Sequence, residues 1–125
     1  MVKTIISTIL AFLLLFVGAI LEKQFITREF DEFEVALTSL YQKAEEEIAV
    51  KEDVYAVQAN WLSKKKKLHA VIPHTEIKEM DLWLSEAVML VRDKEWTDAL
   101  SKIEVLLELC EQIPQTFSLS FQNIF

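Results

Sequence analysis

Residues 22–49, EKQFITREFDEFEVALTSLYQKAEEEIA, decide the fold. Their apolar members return in alternating steps of four and three: Ile26, Phe30, Phe33, Leu37, Leu40 and Ala44, with Ile48 one step late. Such spacing is a heptad seam, which gathers these side chains on one side of a helix that packs against other helices. Neither proline nor glycine interrupts the run, so a helix is predicted from about Glu22 to Ala49.

Upstream lies TIISTILAFLLLFVGAIL, Thr4 to Leu21, eighteen residues without a charge. As a helix it spans roughly 27 Å, close to the ~30 Å hydrocarbon core of a bilayer. Two readings compete. Val17-Gly18-Ala19 offers a small-residue cleavage site behind a signal-peptide core. Against this, Ile20 and Leu21 prolong the apolar run and the next helix follows without a break. An uncleaved transmembrane anchor over residues 1–21, carrying a helical domain over 22–125, is the favoured expectation, with the two helices joined as a rigid stalk. No cysteine lies near the segment, which excludes a lipoprotein anchor. Charge barely orients it, because Lys3 and the amino terminus on one side face Lys23 and Arg28 on the other. The signal-like start favours a single-pass protein of the cell membrane whose domain lies outside the cytoplasm.

Downstream, a second helix is expected from about Glu52 to Val71, with Val54, Val57, Trp61, Leu68 and Val71 as its stripe and Lys64 breaking the seam. Pro73 ends it, since a proline pushes the preceding residue out of the helical region. Thr75 is expected to cap a third helix, Glu76 to about Arg92, with Glu76 and Glu79 in its first turn and Ile77, Met80, Leu84, Ala87 and Val91 inward. Asp93-Lys94 makes a short turn. A fourth helix covers about Glu95 to Ile113, directs Trp96, Ala99, Leu100, Ile103, Leu106, Leu107 and Cys110 inward, and closes at Pro114. Connections this short force neighbouring helices antiparallel. The expected class is all-α: an N-terminal transmembrane helix, then an antiparallel bundle of about four helices. In the final TFSLSFQNIF, Phe117, Leu119 and Phe121 alternate with Ser and Gln, which predicts an extended C-terminal tail over a groove of the bundle.

Composition narrows the function. A chain of 125 residues holds one domain, and its 52% hydrophobic content is concentrated at the start. Net charge is −7, and discounting Lys3 leaves −8 from Glu22 onward. That charge repels phosphate backbones, so no nucleic-acid partner is expected. The only glycine, Gly18, sits in the apolar run. P-loops, dinucleotide fingerprints and nucleophile elbows all need glycine for a sharp turn or a close backbone approach. None can be built here.

Candidate sites were weighed against plainer readings. Lys64 to Lys67 would suit anionic lipid or phosphate. Antiparallel to the first helix, however, they are expected level with about Ala36, roughly 20 Å above the bilayer and well beyond the ~8 Å screening length. Four successive helical residues also point in nearly all directions, so a solvated helix surface is the better reading. Ser63 and Lys66 match S-x-x-K only because lysines abound there, and no partner motif follows. His69 and His74 are five apart, the wrong spacing for a helical zinc pair. Glu45, Glu46, Glu47, Glu52 and Asp53 would suit a divalent cation but read better as a solvated turn. Cys110 has no cysteine to pair with and reads as a small buried apolar residue. A hydrolase using Glu79 and Glu86 finds little support in stripes so poor in inward polar residues. No catalytic, cofactor or metal residue is therefore expected. Trp61 and Trp96 fall on stripes, whereas Trp83 falls beside one. Trp83, with Phe25, Phe30 and Phe33 just above the bilayer, is the expected partner contact.

Two resemblances bear on function. Trp83, Ala87, Ala99 and Ile103 fall at the small and large positions of a single tetratricopeptide hairpin, although such repeats need at least three copies. More broadly, the apolar N-terminus, the glycine-free helical body, the Trp83 and Glu95-Trp96 hairpin and the terminal S-L-S-F-Q-N-I-F resemble a family of small bacterial membrane-anchored proteins. It is the family catalogued as domain of unknown function 4363, found chiefly in Gram-positive, often spore-forming bacteria. The resemblance implies an anchored helical domain outside the cytoplasmic membrane and supplies no catalytic residues. The expected function is a non-enzymatic membrane-anchored interaction module for another membrane or envelope protein, with a homo-oligomer as a further candidate. An extracytoplasmic small-molecule sensor or carrier with a pocket near Trp83 is the alternative.

Overall fold

A computed structural model describes the backbone from Met1 to Ile124 and the side chains as far as Thr116. It contains four helices: α1 (Val2–Glu45), α2 (Lys51–Leu68), α3 (His74–Arg92) and α4 (Trp96–Ile124). No strand occurs among the described residues.

Helix α1 is one uninterrupted rod of 44 residues, roughly 66 Å at helical rise. Its leading apolar window buries none of its residues against the rest of the chain, and among the described residues this is the one helix long and apolar enough to cross a membrane. From Ile26 onward the predicted seam is realised: Ile26, Phe30, Phe33, Leu37, Leu40 and Ala44 are all buried. The rod is continuous, as the stalk reading expects, yet burial begins so soon after Leu21 that almost no bare stalk separates the apolar segment from the bundle.

Helix α1 packs on α2 and α4, and α3 packs on the same two, so the four helices form a closed antiparallel ring. Cross-links between side chains set the register. Tyr41 Oη donates to Glu104 Oε1 at 2.8 Å between α1 and α4, and Trp61 Nε1 donates to Asp81 Oδ1 at 2.7 Å between α2 and α3. Counted from the apolar N-terminal end of α1, the α1–α2 and α3–α4 turns are distal. The α2–α3 turn and the end of α4 are proximal. The centre of the core is aromatic: the Trp61 ring lies 5.3 Å from Phe33 and 6.3 Å from Phe30, centroid to centroid.

Sharp turns without glycine have a specific solution here. Helix α1 ends with Ile48 N–H on Lys43 O at 2.9 Å and Glu47 N–H on Ala44 O at 3.1 Å; α3 ends with Glu95 N–H on Leu90 O at 2.9 Å and Lys94 N–H on Val91 O at 3.1 Å. Both are Schellman caps, whose left-handed position usually holds glycine. Glu47 and Lys94 occupy it instead, each at φ 59°. Ending α1 at Glu45 rather than Ala49 swings Ile48 into solvent and turns Ala49 inward in its place.

Two other boundaries differ from expectation. Helix α3 starts at His74 with Pro73, not Thr75, at its N-cap, because the Pro73 carbonyl already accepts Glu76 N–H at 3.1 Å and Ile77 N–H at 3.4 Å. Helix α4 does not close at Pro114: the proline lies inside it and the helix runs on to Ile124, so the expected extended tail is helical. A proline removes one donor and leaves the carbonyl four residues earlier, that of Cys110, without its usual partner. That is too little to end a helix anchored by buried Ile113 and by Thr116 Oγ1 donating to Gln112 O at 2.9 Å. The side chains of Phe117 to Phe125, expected over a groove, lie outside the described residues.

A left-handed position costs an L-residue about 1 kcal/mol that glycine does not pay. Glu47→Gly and Lys94→Gly should therefore each raise unfolding stability by up to about that amount, read from urea melts in detergent micelles by circular dichroism. A loss of stability in both variants would contradict the cap assignment.

Candidate functional site

Polar side chains inside a bundle core are costly unless paired, so their location is the first guide to a site. Lys64 sits on the inward stripe of α2 and is 7% exposed. Its ammonium donates to Glu29 Oε2 at 3.0 Å and to Glu32 Oε2 at 2.6 Å, both on α1. Glu29, 3% exposed, also has its Oε1 3.9 Å from Lys67 Nζ. On the other flank of α2, Lys65 Nζ lies 2.7 Å from Asp81 Oδ2, the carboxylate that also accepts from Trp61. Two charged clamps thus hold α2, one to α1 and one to α3.

This arrangement corrects the reading of the lysine run as a solvated surface. Lys64 is core, Lys65 is half-buried, and only Lys66 and Lys67 are fully exposed. The run also lies lower than expected. Lys64 is level with Glu29 and Glu32, not Ala36, because α1 ends four residues early and the chain then spends five residues turning. Glu29 is only eight residues past Leu21, about 12 Å of helix.

The clamp shifts its members' ionisation. The Lys64 hydrogen bond, then its charge, holds the Glu32 carboxyl below its ordinary value of 4.5. For Lys64 itself burial opposes the charge, but hydrogen bonds and attraction from Glu32 and Glu29 outweigh it and raise its affinity for the proton above the ordinary 10.5. The α1–α4 side behaves oppositely. Burial first, then Glu111 and Asp31, push the Glu34 carboxyl up, while burial, Glu34, Asp31 and Glu111 push the Cys110 thiol well above the ordinary range. Cys110, 2% exposed, is the small buried apolar residue its position implies.

The expected partner contacts separate into three groups. Phe30 and Phe33 are wholly buried against Trp61, which corrects their assignment as a docking surface: the heptad seam puts them inside. Phe25 is half-buried. Trp83 is half-buried too, and one face is covered by Lys102 Nζ, 4.8 Å from the ring centroid and itself 3.3 Å from Glu86 Oε2. What the seams leave outside is a set of apolar residues at heptad spacing on the outer faces of α2 and α3: Tyr55 and Leu62, Leu82 and Met89, between 42% and 58% exposed. Their signal in the sequence is the same period as the core, displaced around the helix. A cleft of about 230 Å³ opens between α1 and α2, lined by Ala36, Ser39, Lys43, Asp53, Ala56 and Asn60 among others.

The remaining candidates stay apart. His69 and His74 stack at 5.5 Å across the proximal turn, and no group of three or more metal-ligating side chains forms among the described residues. Asp53 is used as a helix start, accepting Val50 N–H and Lys43 Nζ, each at 2.9 Å. In the α3–α4 hairpin Ala87 and Ala99 are buried, but α1 and α2 cover the side on which further repeats would stack.

A long apolar helix running without a break into a closed four-helix ring defines the class: a small all-α bundle protein with a leading helix that fits a single-pass membrane anchor or a signal sequence. Within that class, the family model described as Domain of unknown function (DUF4363) matches residues 23–124, and the chain belongs to that family. No curated protein and no solved structure matches the chain.

Stranding a buried charge costs about 3–5 kcal/mol, whereas replacing both partners by apolar groups is often neutral. Lys64→Met should destabilise the bundle strongly, and Lys64→Met with Glu29→Leu should recover most of the loss, in urea titrations followed by tryptophan emission. Equal destabilisation in the single and double variants would remove the clamp from the account. Acid titration gives a separate check. A carboxyl held low in the folded state stabilises it above pH 4.5, and that contribution disappears as pH falls through the folded value. The stability advantage of wild type over Glu32→Gln should therefore be present at neutral pH and vanish in acid; an advantage that grows on acidification would reverse the sign.

Proposed function

We propose that the chain is a non-enzymatic, single-pass membrane protein whose bundle lies outside the cytoplasm and docks onto another protein of the membrane or envelope. One observation carries the reading. The interior is filled by hydrocarbon and by charges that neutralise one another, while α2 and α3 each carry two exposed large apolar side chains seven residues apart, Tyr55 and Leu62 on one and Leu82 and Met89 on the other. Trp61 and Asp81 bring α2 and α3 into register so that Leu62 lies near the level of Leu82 and Tyr55 near that of Met89. Four apolar side chains in a two-by-two array are the kind of patch that helix–helix docking covers. Phe25, beside the span, and the free edge of Trp83 are secondary contacts in this reading. Membrane sidedness rests on the signal-like start of α1.

A photo-crosslinking side chain at Leu62 or Leu82, in the full chain in native membranes, should give a discrete heavier adduct that Tyr55→Ser and Met89→Ser weaken. The same group at Val35, 71% exposed on α1, should not give it. Recovery of the monomer alone from every position would sink the docking reading, and an adduct of two identical chains would make the partner a second copy.

A sensor or carrier role is favoured by one feature, the α1–α2 cleft. The Asn60 side-chain oxygen there is buried and has no hydrogen-bond partner. A polar small molecule donating to it would alter the emission of neighbouring Trp61.

A further inference from the structure

We propose that the last turns of α4 form a second membrane contact, lying in the headgroup zone of the same bilayer that α1 crosses, so that the bundle stands directly on the membrane. The proposal rests on α1 being an anchor.

Three observations converge on it. The first is register. Helix α4 descends alongside α1, with Glu104 opposite Tyr41, and a cleft between the two helices is lined by Asp31 and Glu34 from α1 and by Glu111 and Pro114 from α4. In each facing pair the two numbers advance in opposite directions at the same rate. Ten residues of helix separate Pro114 from Ile124, as ten separate Asp31 from Leu21, so α4 is long enough to reach the level of the last residue of the uncharged segment. The second is charge. Glu111 is the last charged residue on α4, and QIPQTFSLSFQNI, 112–124, has none. A helix surface beside water in an acidic domain would ordinarily carry charges; a segment entering an interface loses them. The third is the neighbourhood. Helix α2 ends at Leu68 and α3 begins at His74, so these two helices stop near the level of Phe25, whereas α4 has further turns of helix to reach beyond it.

The distances agree. Polar headgroups occupy about 5–8 Å outside the hydrocarbon, some four or five residues of helix rise. Above Leu21 that zone spans residues 22–26 of α1, and residues 119–123 of α4 are the matching number of residues along the helix from the Glu104–Tyr41 pair. They include Leu119 and Phe121, with Phe117 just above and Ile124 just below. Aromatic and aliphatic residues with small polar neighbours suit that layer. The exposed lysines of α2, Lys66 and Lys67, lie about 10 Å above Leu21, near enough to the ~8 Å screening length to add attraction to anionic lipid.

The test uses the full chain reconstituted in vesicles of phosphatidylcholine and phosphatidylglycerol, with one environment-sensitive dye per molecule. The dye is attached at Ser118→Cys or Ser120→Cys in the α4 end, at Phe16→Cys in the span, or at exposed distal Ser101→Cys. Wild type is the labelling blank, its Cys110 being buried with its thiol pushed up. Lipids carrying a spin-label quencher near the headgroup should quench the Ser118 and Ser120 dyes strongly and leave the Ser101 dye bright, while lipids quenching deep in the acyl region extinguish the Phe16 dye. A quenched span with both α4 dyes unquenched overturns the proposal and leaves the anchor standing. A span dye that escapes quenching removes the anchor and the proposal together. Quenching of the Ser101 dye would overturn the upright register, and α4 dyes shielded equally in vesicles and in detergent would show that protein, not lipid, covers the segment.

Discussion

Helix α1 has to suit two surroundings along one unbroken rod, and the rest of the fold follows from that. Its first half is uniformly apolar and finds no protein to pack on; its second half is apolar on one stripe and charged elsewhere. A helix apolar all round must be enclosed by something other than water, whereas one with a stripe needs a partner only on that side. The change occurs within a few residues of Glu22. Every other helix is placed by its relation to the stripe that begins there: α2 and α4 flank it, and α3 closes the ring opposite.

Hydrocarbon alone would let α2 slide or rotate on α1, because heptad seams tolerate shifts by whole turns. The Lys64 ammonium between Glu29 and Glu32 removes that freedom, since any other alignment leaves a buried charge alone. On the far flank, Asp81 does the same for α2 against α3 by receiving both Trp61 and Lys65. Such pairs add little net stability over apolar residues of similar size. Their effect is alignment, and it sits in the half of the domain nearer the apolar end of α1, where α2, α3 and α1 meet.

The seams were legible because periodicity is a long-range pattern with many residues voting: every residue of the α1 series but Ile48, and every residue of the α3 series, is buried. Bundle class was legible on the same ground, antiparallel order from the short connections, and family membership from the resemblance of the N-terminus, the Trp83 and Glu95-Trp96 hairpin and the terminal motif. What escaped were features decided by one or two atoms. Schellman caps on Glu47 and Lys94 carry no glycine to announce them, so α1 was drawn four residues too long and α2 was set too high against it. Lys64 was visible on the stripe, yet its partners lie 35 and 32 positions away and only the true register brings them within reach. Phe30 and Phe33 were given a docking role although the seam already assigned them inward. A proline usually closes a helix, but buried Cys110 and Ile113 just before Pro114 hold this one in place and it continues through.

One mechanical consequence follows from the absence of a hinge between span and domain. With no glycine, proline or irregular turn between Leu21 and Ile26, torsion or lean applied to the lower part of the rod is conveyed undiminished to the upper part. The upper portion of α1, Glu22 to Glu45, is about 36 Å long, so a lean of about 10° carries its far end sideways by about 6 Å. The far turns therefore act as the tip of a lever whose other arm is the apolar half of the same rod.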